Sequence, residues 1–154
     1  LFEIALTMQD LGRLSSDLLL FYTQEFAFVQ LPDAFTTGSS IMPQKRNPDV
    51  FELVRGRTAS AHGCLVEALG IFAKLPSGYQ RDLQLLKAPL FRGIDLCHQA
   101  LDIVAAALPT VAFNPDRIHM DPSIRAADEA YALVKSEGIP FREAYRRVGA
   151  KLKG

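Results

Sequence analysis

Between Thr36 and Glu52 the chain concentrates residues able to move a proton and hold negative charge: Ser39, Ser40, Lys45, Asn47 and Glu52. A serine hydroxyl is a poor base or nucleophile unless something stabilises its alkoxide. Here the available stabilisers are Lys45, the free amides of a polar loop, and the N-terminus of the helix that begins at Pro48. No histidine stands nearby in sequence to form a serine–histidine pair, and nothing reads as a nucleophile elbow. By spacing alone, Glu52 is a first-turn glutamate favoured by the helix dipole. A second polar cluster, Tyr79, Arg81, Asp82, Gln84 and Lys87, reads on spacing as an interhelical loop.

The elements that must position these residues are helical. Gly38 frees the backbone where the serines begin and is read as a hinge. Pro43 and Pro48 restrict the other side of the loop. Asn47-Pro48-Asp49 reads as a helix start with Asn47 as N-cap, and such a start offers its amides to anions. Upstream, Ile4, Met8, Leu11, Leu18 and Phe21 recur at helical spacing, which predicts a helix from residue 1 to about 29, roughly 40 Å long. Its apolar residues spread widely around the axis, so burial on more than one side is expected, in a bundle or at a subunit interface. A second helix is predicted from Pro48 to about Lys74, with Val50, Val54, Ala61, Leu65, Ala68 and Phe72 on its main face. Small residues from Thr58 to Gly63 permit close helix approach or a mild kink. The third helix carries the stripe Leu90, Ile94, Cys97, Leu101, Val104 and Leu108.

Three long helices without an intervening strand pattern predict an all-α fold, a long-helix bundle. After Leu108-Pro109 the texture changes. Asn114-Pro115-Asp116 and Asp121-Pro122-Ser123 are helix-start signals, introducing a short turn, a helix from Pro122 to Glu137 ended by Gly138, and another from Phe141 to about Lys151. The expected division is a bundle domain over 1–112 and a small helical C-terminal domain over 113–154, each partial. The chain opens at Leu1 inside an amphipathic pattern and stops soon after a helix, so it is expected to be part of a longer polypeptide.

With 154 residues, 49% of them hydrophobic, and zero formal net charge, the chain can bury a sizeable core. It offers no electrostatic case for nucleic acid or membranes, its arginines being scattered. Cys64 and Cys97 lie in apolar helical patterns and are read as buried free thiols in a reducing cytoplasm rather than a disulfide. His62, His98 and His119 stand too far apart for metal-ligand spacing, so no metal or cofactor is implied. There is no signal-peptide pattern and no apolar run long enough to span a bilayer.

The run from Gly38 to Pro48 resembles the signature loop of the aspartase/fumarase superfamily, Gly-Ser-Ser-x-Met-Pro-x-Lys-x-Asn-Pro, at every specified position. The resemblance sharpens to one member family, argininosuccinate lyase. Leu75-Pro76, Tyr79, Asp82-Leu83-Gln84, Lys87 and Pro89-Leu90-Phe91 resemble its Leu-Pro…Tyr-x-x-Asp-Leu-Gln-x-x-Lys-x-Pro-Leu-Phe run. Gln44, Asp49, Leu53 and Arg55 look like the same family, as does Gly138-Ile-Pro-Phe-Arg-Glu-Ala144. Leu85 and Leu86 stand where many members are acidic, and Asp121 to Ala130 lacks a common Thr-rich pattern. These departures bear on substrate preference more than on reaction type.

The resemblance implies a carbon–nitrogen lyase that releases arginine and fumarate from argininosuccinate. It assigns Ser39 as the general base. Lys45 and Asn47 steady the substrate carboxylate as it gains charge, with Ser40 beside them in substrate binding. Glu52 pairs with a histidine upstream of anything present here. Tyr79, Gln84 and Lys87 hold the substrate. Family members are homotetramers with active sites shared between subunits, so the 154 residues alone are expected to be inactive. Two alternatives stand beside this reading: another lyase of the superfamily, such as adenylosuccinate lyase, and a crystallin-like structural protein with the same fold.

Overall fold

The computed structural model describes residues 1–152, so the last two residues of the expected C-terminal domain lie outside the described residues. The fold is all-α, and among the described residues four two-residue strands serve as clasps between helices. The residues from Leu1 to Arg117 form one compact unit, and a second begins at Ile118.

The first unit is built on three helices: α1 (Phe2–Tyr22), α2 (Asp49–Phe72) and α3 (Lys87–Ala107). Leu18, Phe51 and Ala107 share one buried cluster. At the other end, the Leu1 side chain lies over Gly93, beside Cys64. Thus α1 and α3 run in one direction and α2 in the other. Met8, Val54, Ala61, Cys97, Ala100 and Val104 form the central core. Burying a side chain such as Met8 or Phe51 stabilises the fold by about 1.5–3 kcal/mol.

Small residues set the seams. A Cβ on Gly12 would fall 2.6 Å from Thr58 Oγ1, and that hydroxyl donates to the Met8 carbonyl at 2.9 Å. Gly93 plays the same part under Leu1, where a Cβ would meet Leu1 Cδ2 at 2.8 Å. The buried face of α3 is Pro89, Gly93, Cys97, Ala100, Val104 and Ala107. It shares only Cys97 and Val104 with the predicted stripe. Leu90, Ile94, Leu101 and Leu108 instead keep 37–44% of their surface exposed. On α2, Phe51 and Cys64 are buried while the predicted Phe72 is exposed. The reason is geometric: glycine and alanine bring backbones close, and the larger neighbours are displaced outward around each helix.

The structure corrects two predicted boundaries. Helix α1 ends at Tyr22, not near residue 29. Thr23 leaves the helical region at ψ 152°, and its Oγ1 donates to the Leu20 carbonyl at 2.7 Å. The apolar residues beyond it build a corner, where the rings of Phe21 and Phe26 each pack on Phe28. The corner leads into strand β1 (Val29–Gln30). Asn47 is not an N-cap: it is used as a strand residue, and Pro48 takes the cap position, with no side chain bonding the free amides of α2. Strands β2 (Thr37–Gly38) and β3 (Arg46–Asn47) pair antiparallel, Thr37 with Asn47 and Gly38 with Arg46. Strand β1 pairs in the same sense with β4 (Ala112–Phe113). A 3₁₀ segment over Arg81–Leu86 feeds directly into α3. Cys64 and Cys97 are free and buried.

In the second unit, the Asp121 carboxylate accepts the Ser123 amide at 2.7 Å and opens a 3₁₀ turn. Helix α4 (Ala126–Glu137) follows, closed by Gly138 at φ 67°, then α5 (Phe141–Lys151). Ala130, Ala144 and Val148 form their common core.

Candidate active site

The β2–β3 hairpin presents residues 39–45 as its tip, at the α2 N-terminal end of the bundle. Inside the tip the chain turns back so that two amides face the Ser39 side chain. Its Oγ accepts from Met42 N at 3.1 Å and from Ile41 N at 3.3 Å. This is the local geometry of a serine turn, and two N–H dipoles fixed on one oxygen are the kind of donors that stabilise negative charge. Ser39 is half-buried, whereas Ser40 and Lys45 are exposed and Asn47 is half-buried. Ser39 and Lys45 are the first and last residues of the tip, each directly beyond the Gly38–Arg46 pair. Gly38 is not at positive φ, and a Cβ there would meet only Arg46 Nη1 at an ordinary 3.7 Å.

The neck of the hairpin is tied down on both strands. Thr37 Oγ1 donates to the Asp49 carboxylate in the first turn of α2. Arg46 Nη2 pairs with Asp33 Oδ2 at 2.9 Å. Tyr22 lies within electrostatic reach of that pair: partial burial pushes its phenol up, with Arg46 opposing and Asp33 adding to the shift. Tyr22, Gln24, Met42, Gln44, Lys45 and Arg46 line an open cavity of about 570 Å³. Glu52 is exposed on the first turn of α2, its own amide donating to the Pro48 carbonyl at 3.3 Å.

The second cluster lies at the opposite end of the bundle. Gln84 Nε2 donates to the Tyr79 hydroxyl at 3.3 Å, and Tyr79 is 73% exposed. Lys87 is the first residue of α3 and is exposed, as are Arg81 and Asp82. The structure therefore places Ser39 and Lys45 in one hairpin tip and bonds Gln84 to Tyr79, but does not bring the two groups together. Helix α2 separates them with its 24 residues, about 36 Å at 1.5 Å per residue. Among the described residues, no group of His, Cys, Asp and Glu is arranged to hold a metal ion. No helix among them is long and apolar enough to cross a membrane. Sequence reading did not single out Asp33 or Thr37, because each finds its partner 12 or 13 residues away, where no local pattern betrays the pairing.

Residues 1–63 match the family model described as "Lyase". The argininosuccinate lyase of Roseiflexus sp. (strain RS-1) is 46% identical over 151 residues, 97% of this chain and 33% of that protein. The argininosuccinate lyase of Sorangium cellulosum (strain So ce56) is 49% identical over 142 residues, 91% of this chain and 33% of its own length. The chain is similar to these lyases over nearly all of its own length. It spans about a third of the length of these curated relatives. Among solved structures, an EDDS lyase in complex with formate superposes with a TM-score of 0.74 at 29% identity, over 96% of this chain and 30% of that one. A variant of EDDS lyase solved with bound fumarate gives the same TM-score at 28% identity, over the same shares of the two chains. A fumarate lyase of Brucella melitensis described as delta crystallin shares the fold, with a TM-score of 0.66 at 20% identity over 97% of this chain and 33% of that one. The tip of the β2–β3 hairpin holds the run that resembles the superfamily's signature loop, carried on a two-stranded neck.

Proposed function

We propose that the whole protein is an argininosuccinate lyase, eliminating arginine from argininosuccinate to leave fumarate. The observation that carries this reading is the Ser39 oxygen held by two loop amides inside the resembled signature loop. Ser39 takes the proton from the carbon beside a substrate carboxylate. The carbanion-like intermediate holds its charge on that carboxylate, facing Lys45, Asn47 and nearby amides, with Ser40 among the groups that bind it. The carbon–nitrogen bond then breaks, the electron pair leaves with the guanidino nitrogen, and a proton delivered to that nitrogen completes arginine. Glu52 orients the histidine that assists this delivery, a histidine outside these residues. Tyr79, Gln84 and Lys87 hold the rest of the substrate. The similarity to argininosuccinate lyases over most of the chain supports the substrate, and the fumarate bound to the EDDS lyase variant fits the product.

The reading extends to assembly. Residues 1–112 are taken as part of a central helical bundle and 113–154 as part of a small C-terminal helical domain. Hairpin and Tyr79–Lys87 cluster lie at opposite ends of one long helix, so a site using both is built from more than one copy. Copies packed with their helices antiparallel bring one hairpin end beside another copy's Lys87. The outward band Leu90, Ile94, Leu101 and Leu108 supplies apolar surface for such packing. A cytoplasmic homotetramer acting in arginine biosynthesis is the assembly this implies. The test is fumarate absorbance from the purified full-length protein, offered argininosuccinate and adenylosuccinate in separate reactions. Fumarate from argininosuccinate alone is the expected result; fumarate from adenylosuccinate alone would reassign the substrate.

A further inference from the structure

We propose that Thr37 and Asp33 are positioning residues: together they anchor the two strands of the hairpin neck and so hold the Ser39 tip in register with the first turn of α2. The inference rests on the assignment of Ser39 as base and adds the parts that hold it. Thr37, on β2, stands two residues before Ser39; its partner Asp49 stands three residues before Glu52. One hydrogen bond therefore links the strand carrying the base to the helical turn carrying the glutamate. On the other strand, Arg46 follows Lys45 directly and is tied to Asp33 at 2.9 Å. The two ties leave through opposite strands, one to α2 and one to the 3₁₀ turn Asp33–Phe35.

Two ladder pairs alone make a marginal hairpin, since isolated two-stranded ribbons are barely stable in water. Both ties are exposed. The Arg46–Asp33 pair is thus screened and individually weak, whereas the Thr37 bond gains strength from its charged acceptor. The tip between the ties has no other polar side-chain link to the bundle among the described residues. Its geometry is accordingly set at the neck.

The test uses the full-length protein and the variants Thr37→Val, Thr37→Ser and Asp33→Ala. Thr37→Val removes the hydroxyl while keeping shape and strand preference; Thr37→Ser keeps the hydroxyl. Fumarate release and the rate of tryptic cleavage after Lys45 and Arg46 are measured side by side. For Thr37→Val we expect kcat to fall roughly tenfold, the size of losing a hydrogen bond to a charged group, with KM within about twofold and circular dichroism unchanged. Tip cleavage, which follows local opening, is expected to accelerate. Thr37→Ser restores both, and Asp33→Ala speeds cleavage through the second strand. Wild-type kcat and cleavage in Thr37→Val, or a Thr37→Ser variant no better than Thr37→Val, would overturn the proposal. Should the protein not act on argininosuccinate, cleavage alone decides. Faster cleavage in Thr37→Val and Asp33→Ala sustains the anchors while the substrate assignment fails; unchanged cleavage in both overturns the anchors. If Thr37→Val fails to fold, the comparison of Asp33→Ala with the wild type decides in the same way.

Discussion

The two ends of the three-helix bundle carry the same kind of residue in different settings. At the hairpin end, Ser39 sits half-buried against two amides, on a neck fastened to α2 and to the 3₁₀ turn before it. At the other end, Tyr79, Gln84 and Lys87 all stand exposed around a 3₁₀ segment, with only the Gln84–Tyr79 bond between them. One end holds a serine oxygen fixed by two amides, the other a set of exposed polar side chains with a single bond among them. The length of α2 keeps the two groups apart within one copy, so the proposed site, which uses both, draws on more than one copy.

The largest effect is expected at the hairpin. In the full-length protein, Ser39→Ala should lower turnover at least about a hundredfold, the low end for removing a positioned acid–base group, with the melting temperature unchanged. Near-normal turnover would erase the difference between the ends. The rod between them is the next target. Gly12→Val drives a side chain into Thr58, and such overpacking costs about 1–3 kcal/mol, read as a lower melting temperature. An unchanged melting temperature would mean that the α1–α2 seam at Gly12 accommodates the added side chain and is not tightly set.

At the far end, Lys87→Met should raise KM or cut kcat by roughly tenfold, the scale of one charge-assisted bond, without altering thermal stability. A collapse in melting temperature would make Lys87 structural instead. The smallest effect concerns Ser15, buried in α1 with its hydroxyl unpartnered among the described residues. Ser15→Ala should stabilise the bundle by about 1 kcal/mol and leave both ends untouched.

How much of this was legible in the sequence differs from element to element. The start of α2 was readable within a residue because Pro48 and Asp49 suit a first turn. The loss of Asn47 to the ladder was not, since its pairing with Thr37 depends on a return of the chain. Apolar periodicity found three helices, yet it weights large residues, whereas the seams are set by Gly12, Gly93 and Ala100. It therefore chose the outward leucines of α3 over the buried line one position earlier. The apolar run past Tyr22 extended the first helix in the reading, but Thr23 turns those residues into an aromatic corner and a strand. The serine pair stood out through the density of chemistry around it, but the choice of Ser39 as base rested on resemblance. Tyr79, Gln84 and Lys87 rested on resemblance, because polar residues on a 3₁₀ segment have no distinctive spacing.

The central claim is that one site draws on the hairpin of one copy and the Tyr79–Lys87 end of another. Its most direct test is complementation between two full-length variants, Ser39→Ala and Lys87→Met, refolded together. Mixed oligomers are first verified by native mass spectrometry. A shared site predicts turnover well above that of either variant alone, because some sites in the mixture then pair an intact Ser39 with an intact Lys87. Verified mixed oligomers that stay as inactive as their parents would contradict it.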